Sequence, residues 1–252
     1  MAAPEVGPQR TLRLLLEYQG TDFCGWQIQP QGRTVQGELA RCLQVLLGEE
    51  VCPIGAGRTD AGTHALGQVA HLHTHSTLPL YCLHRGLNGL LPPDVAVLRV
   101  EEAPAHFHAR YSAKTKRYRY RVRTVRSALD RPFVWSLYQE LKLEPMSQAA
   151  AHLAGAHSFA AFCNQDPLPG SFVCQVQDCG WTRRGPELIF EIAADRFLRH
   201  MVRILVGTMV EVGRGRRPSG DMTRLLESAD RTLAGPTAPA QGLCLVGVDY
   251  GE

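Results

Sequence analysis

Leu12, Leu14 and Leu16 alternate with Arg13 and Glu17, the period-two pattern of a half-buried strand over residues 12–18. At Thr34 the period changes. Val35, Leu39, Leu43 and Leu46 or Leu47 share one helical stripe, Thr34 stands where an N-cap belongs and Gly48 where a helix stops. A short strand then leads into a glycine-rich turn, followed by a strand over 68–74, a helix over 80–91 that Pro92-Pro93 ends, and a strand over 95–100. Strand, helix, strand, strand, helix, strand is the ferredoxin-like order.

Beyond Pro104 the order recurs with different residues. A strand is expected over 116–124, a helix around 147–153, a hairpin of 172–183 and 187–194 around Gly185-Pro186, a long apolar helix over 197–212, a short helix over 221–228 and a last strand over 243–250. This is a repeat of pattern without a repeat of sequence. It predicts an α+β chain: a flexible leader over 1–10, then ferredoxin-like βαββαβ subdomains over 11–105 and 106–252. Their sheets are expected to join into one central antiparallel sheet, with a cleft between the halves.

Composition adds bounds. With 252 residues, 44% of them hydrophobic, the chain can bury a full core. A formal charge of +3 says little about partners until its distribution is known. The first ten residues lack the apolar stretch of a secretory signal, and no run approaches a membrane span, so a cytoplasmic protein with no membrane association is expected. Eight cysteines occur without a Cys-x-x-Cys pair. Most are expected to be small buried thiols in a reducing compartment.

The glycine-rich turn holds Gly55, Gly57, Gly62 and Gly67, with Arg58 and Asp60 in its middle. One reading is a connection between strands in which Asp60 bonds its own backbone. The other is a catalytic carboxylate on a rigid turn, with Arg58 beside it to hold an anionic substrate. The spacing matches neither a phosphate-binding Walker loop nor a dinucleotide fingerprint.

Charge concentrates elsewhere. Arg110, Lys114, Lys116, Arg117, Arg119, Arg121, Arg123 and Arg126 occur with no acidic residue among them. In a strand, Arg117, Arg119, Arg121 and Arg123 line one face and Tyr118, Tyr120 and Val122 the other. Such a run is either a solvated face or one whose mutual repulsion an anionic partner relieves. Arg203 lies among apolar residues and needs a carboxylate; Asp60 and Glu211 are both candidates, and snorkelling to the surface is the alternative. His71, His73 and His75 share a strand face, which suits an RNA-facing or solvent-facing surface better than a metal site.

Taken together, six stretches resemble the tRNA pseudouridine synthases of the TruA type, over about residues 12–250. They are Tyr18-x-Gly20-Thr21-x-Phe23-x-Gly25-Trp26-Gln27, Gly57-Arg58-Thr59-Asp60-Ala61-Gly62-x-His64-Ala65, Phe107-His108-Ala109-Arg110, Lys116-Arg117-Tyr118-Arg119-Tyr120, Phe197-Leu198-Arg199-His200-Met201-Val202-Arg203 and Ala238-Pro239-Ala240-x-Gly242-Leu243. The resemblance implies the pseudouridine synthase fold and a reaction that detaches uracil at N1, turns it and rejoins it through C5. The implied substrate is the anticodon arm of tRNA, at positions 38 to 40, and the implied assembly a homodimer, with no cofactor and no metal.

By the same resemblance Asp60 is nucleophile or base, Arg203 its partner, Tyr118 the ring packing on the reacting base and Leu245 a residue behind it. Arg58 helps hold the flipped-out nucleotide, and Arg110, Lys116, Arg119 and Arg121 are expected at the RNA. Thr63 departs from the family's usual valine, Ser158 from a common aspartate, and Cys174-Gln175 from a common Arg-Thr. The competing expectation is an inactive RNA chaperone on the same scaffold.

Overall fold

The computed structural model describes residues 8–164 and 170–251. Of the expected leader, residues 1–7 lie outside the described residues, and Arg10 already opens a strand. The fold is α+β with mostly antiparallel strands. It divides into two compact units, one reaching to Lys114 and resuming at Gly247, the other running Thr115–Val246.

The first unit contains β1 (Arg10–Tyr18), α1 (Val35–Leu47), β2 (Ile54–Gly55), β3 (His64–Thr74), α2 (Leu80–Leu90) and β4 (Val95–Ala103). Its strands run β4-β1-β3-β2, each antiparallel to its neighbours. The alternation in β1 has its expected consequence: Leu12, Leu14 and Leu16 are buried while Arg13 and Glu17 are half-buried. Thr34 caps α1 by accepting from the Gly37 amide at 3.2 Å. Gly48 closes the helix at φ 71°, in the left-handed region. Val35, Leu39, Cys42 and Leu43 form its buried stripe.

The second unit contains β5 (Thr115–Arg123), β6 (Trp135–Ser136), α3 (Leu143–Ala151), β7 (Gly155–Ser158), β8 (Val173–Arg184), β9 (Glu187–Ala194), α4 (Met201–Gly213), α5 (Asp221–Ser228) and the start of β10 (Leu243–Asp249). The order β5-β9-β8-β7 is antiparallel throughout, and β6 lies parallel to the end of β5. Apolar on nearly every side, α4 buries eleven of its thirteen residues.

Several expectations change. Residues 106–114 pack with the first unit: the Lys114 amide donates to Asp249 O at 2.9 Å and Tyr250 Oη to Ala109 O at 2.8 Å. The long helix starts at Met201, because His200 adopts φ 64° and the preceding stretch cannot be helical. Of the eight free thiols, Cys42, Cys163 and Cys174 are buried, while Cys24 and Cys52 are exposed. Burial pushes the Cys174 thiol up to about 12 and the Cys179 thiol to about 11, so neither is a ready nucleophile. Among the described residues no helix is long and apolar enough to cross a membrane.

Candidate active site

In the first unit, two stretches distant in sequence form one assembly around Asp60. Thr59 is buried, its hydroxyl 2.8 Å from Tyr18 Oη and its carbonyl accepting from the Trp26 amide at 3.1 Å. Gln68 donates from Nε2 to Gly57 O at 2.9 Å and to Tyr18 Oη at 3.3 Å. The Gly62 amide donates to Phe23 O at 3.2 Å, and the Thr63 amide to Asp60 O at 3.1 Å. Every turn residue from Gly57 to Thr63 except Arg58 and Ala61 thus has a bond that restrains it. Arg58 is exposed and Asp60 half-buried.

Close approach explains the glycines of the first stretch. A Cβ on Gly20 would lie 2.0 Å from Thr63 O, and one on Gly25, itself at φ 95°, would lie 2.6 Å from Thr59 O. The Gly20 amide also donates to His64 Nδ1 at 3.0 Å. The stretch is held by Arg33, whose guanidinium lies 4.1 Å above the Phe23 ring and grips both Asp94 oxygens at 2.6 and 2.8 Å. The hydrogen bonds that Arg33 donates to Asp94 raise its pKa further, against the opposing effect of burial. Tyr18, Gln68, His64 and Arg33 were not singled out individually as site residues. Their signal was the two glycines and the tryptophan, which demand a neighbour at backbone distance.

In the second unit, Tyr118 is buried, with its ring edge-on to Phe197 at 4.9 Å. Tyr120, behind it, donates to Pro239 O at 2.7 Å, and burial raises its pKa. Arg203 stands on α4 and donates from Nε to Ala238 O at 2.8 Å, while the Ala238 amide returns a bond to Arg203 O at 3.0 Å. Glu211, the other carboxylate considered for Arg203, is gripped by Arg214 at 2.8 Å and Arg216 at 3.1 Å. The backbone of 235–242 follows α4 and β5 at glycine distance: a Cβ on Gly207 would meet Pro236 O at 1.8 Å, and one on Gly242 the Tyr120 ring at 2.6 Å. Leu245 is fully buried in β10. Lys116 is buried beside Tyr118 on the apolar face of β5.

The arginine face of β5 differs from the expectation. Arg117 pairs with Asp178 at 3.0 Å, Arg119 with Glu191 at 2.7 Å, Arg121 with Glu187 and Arg123 with Asp130. Carboxylates on β8 and β9, and Asp130 in the loop after β5, relieve the repulsion that would otherwise call for an anionic partner. That argument for Arg119 and Arg121 at the RNA therefore falls. The histidines differ too. His71 is buried and accepts the Ala109 amide on Nδ1 at 3.2 Å, whereas His73 and His75 are exposed. Burial, then the charges of His108 and His73, lower the His71 pKa to about 4. Among the described residues no group of three His, Cys, Asp or Glu side chains is arranged to hold a metal ion.

The first unit thus carries a carboxylate on a braced glycine turn, and the second a buried tyrosine and a half-buried arginine bonded to the backbone at Ala238. A profile for tRNA pseudouridine synthase matches residues 15–112 and 149–251. The tRNA pseudouridine synthase A of Moorella thermoacetica is 45% identical over 243 residues, covering 95% of this chain and 99% of the relative. That of Myxococcus xanthus is 47% identical over 242 residues, covering 95% and 91%. That of Citrifermentans bemidjiense is 43% identical over 246 residues, covering 96% and 98%. The chain belongs to the tRNA pseudouridine synthase family.

Proposed function

We propose that this protein isomerises uridine to pseudouridine in the anticodon arm of tRNA, with Asp60 as nucleophile or base. The reaction breaks the bond from N1 to the anomeric carbon, turns the uracil and forms a bond from C5 to the same carbon; the C5 proton is lost and N1 gains one. Atoms balance without a second substrate. One carboxylate therefore suffices, whereas an inverting glycosidase needs a second to activate water.

The observation that carries the reading is the turn itself. The bonds at Gly57, Thr59, Gly62 and Thr63 fix the backbone that carries the half-buried Asp60 carboxylate, with the exposed Arg58 two residues before it. Arg203 is proposed as the partner of Asp60, aimed by the bond to Ala238 O. Tyr118 is proposed to pack on the extruded uracil with Leu245 behind it, and Arg58, Arg110 and Lys116 to meet the RNA. Reaching a uridine in a stacked arm requires extrusion, which an aromatic surface and a cationic rim favour.

The same reading takes the two units as ferredoxin-like, with sheets joined and the substrate between them. The order β4-β1-β3-β2 in the first unit supports it. A cytoplasmic homodimer is part of the proposal, by analogy with the family.

The test is an unmodified tRNA transcript incubated with wild type and with Asp60→Asn, pseudouridine then being mapped nucleotide by nucleotide. Conversion by wild type and none above background by the variant is expected. An active Asp60→Asn protein sinks the catalytic assignment, and a wild type that binds tRNA without converting it points to an RNA chaperone.

A further inference from the structure

Two separate stretches of the second unit decide where Arg203 points. It stands in the first turn of α4, so its backbone goes where His200 starts the helix: His200, at φ 64°, accepts the Ile204 amide on its carbonyl at 3.0 Å. Its guanidinium goes where Ala238 O holds Nε.

The stretch that ends at Ala238 has few means of holding itself. Pro236 has no amide hydrogen to give, and Pro239 follows. Two amides tie it to α4, that of Gly235 donating to Thr208 Oγ1 at 2.9 Å and that of Ala238 to Arg203 O at 3.0 Å. A Cβ on Gly235 would lie 2.7 Å from Thr208 Cα, so the contact is at backbone distance.

A further hold comes from Arg231, just beyond α5. Its Nη1 donates to Gly235 O at 3.1 Å and its Nη2 to Thr237 Oγ1 at 3.1 Å, while Nε donates to Asn164 Oδ1 at 2.9 Å. Asn164 carries the connection onward: its amide donates to Arg199 O at 3.2 Å, and its Nδ2 lies 3.4 Å from His200 Nδ1. One guanidinium thus joins the stretch that aims Arg203 to the turn that starts its helix. All three acceptors are neutral, and burial lowers the Arg231 pKa. Three bonds from one rigid plane to neutral groups supply fixed spacing rather than ion pairing.

We infer that Arg231 is a positioning residue for the isomerisation, clamping residues 235–237 to the start of α4 so that Arg203 keeps one orientation. The inference rests on the reading that Arg203 serves Asp60. Arg231 acts through Arg203 and not on the RNA.

The test compares the single-turnover rate of pseudouridine formation at saturating enzyme with the Kd of an unmodified tRNA transcript. The proteins are wild type, Arg231→Ala, Arg231→Lys, Thr237→Val, Arg203→Lys and the double variant of Arg203→Lys with Arg231→Ala. Arg224→Ala, which removes an exposed guanidinium paired with Asp221 within α5, is the control with wild-type behaviour. Arg231→Ala should lower the rate on the order of tenfold to a hundredfold with Kd unchanged. Arg231→Lys should fall between the two, because an ammonium keeps the charge but loses the planar fork. Thr237→Val keeps the shape, removes one acceptor and should give a smaller fall. Arg203→Lys should be slow by itself, and adding Arg231→Ala should slow it no further.

A wild-type rate for Arg231→Ala beside a slow Arg203→Lys overturns the clamp alone. Effects that multiply in the double variant also overturn it, as does a weakened Kd that accounts for the whole loss, which would put Arg231 at the RNA. Should Arg231→Ala not fold, wild-type rates for both Arg231→Lys and Thr237→Val overturn it. A wild-type rate for Arg203→Lys is the separate failure of the Arg203 assignment, and the clamp falls with it.

Discussion

Gly20→Ala tests whether the brace around Asp60 matters to catalysis rather than to folding alone. The added Cβ would stand 2.0 Å from Thr63 O and 2.5 Å from its carbonyl carbon, where ordinary contact begins near 3.4 Å. Both are backbone atoms, so no side chain can swing aside, and the turn must retreat by more than an ångström. Thr63 is tied to Asp60 by the 3.1 Å bond from its amide, and His64 to Gly20 by the 3.0 Å bond at Nδ1. The retreat is therefore passed to the carboxylate.

Overpacking of this kind costs about 1–3 kcal/mol of stability, and displacement of a reacting group by about an ångström costs on the order of a hundredfold in rate. Gly20 does not have a positive φ, so the effect is purely steric. Gly89→Ala is the control: nothing lies within 4 Å of its Cβ, and alanine in a helix is worth about 0.5–1 kcal/mol over glycine. Urea unfolding gives the stability and single-turnover pseudouridine formation the rate. A folded Gly20→Ala protein with the rate of wild type would refute the argument that the turn positions Asp60.

Three further outcomes follow from the same structure. Thr63 Oγ1 is buried without a hydrogen-bond partner, so Thr63→Val should gain about 1 kcal/mol, read as a rise of about 2–4 °C in Tm; no rise would mean that the hydroxyl is satisfied in solution. The His71 pKa is lowered from 6.5 to about 4, so between those values the unfolded chain takes up a proton that the folded one refuses. Stability falls as pH drops through this window, by about 2–3 kcal/mol, and a His71→Asn variant with the same pH slope between 7 and 4.5 would contradict it. Because Glu191 and Glu187 occupy Arg119 and Arg121, Arg119→Ala should leave the salt dependence of tRNA binding unchanged, whereas Arg58→Ala should lower its slope by about 1; a reduced slope for Arg119→Ala would return the β5 face to the RNA.

What the sequence determined by itself was local or came as a pattern of residue types. Period two over residues 12–18, the Thr34 and Gly48 caps, and the unbroken apolar run of α4 each follow from forces acting within a few residues of chain. Glycines marked both stretches of the site: Gly20 and Gly25 because a Cβ there would meet the Thr63 and Thr59 carbonyls, and Gly62 because it takes φ 78°. Tertiary structure alone decided how distant pieces meet. Strand register set Glu191 opposite Arg119 and brought Asp178 to Arg117, turning an apparent anion-seeking face into a row of ion pairs. Long-range bonds from Tyr250 Oη to Ala109 O and from the Lys114 amide to Asp249 O drew residues 106–114 into the first unit, and the left-handed backbone at His200 cut short a helix that apolar spacing alone would have extended. Register and packing depend on contacts separated by tens of residues, and a one-residue slip would exchange the faces of a strand. That is why the composition of β5 named its cations while only the folded sheet named their partners.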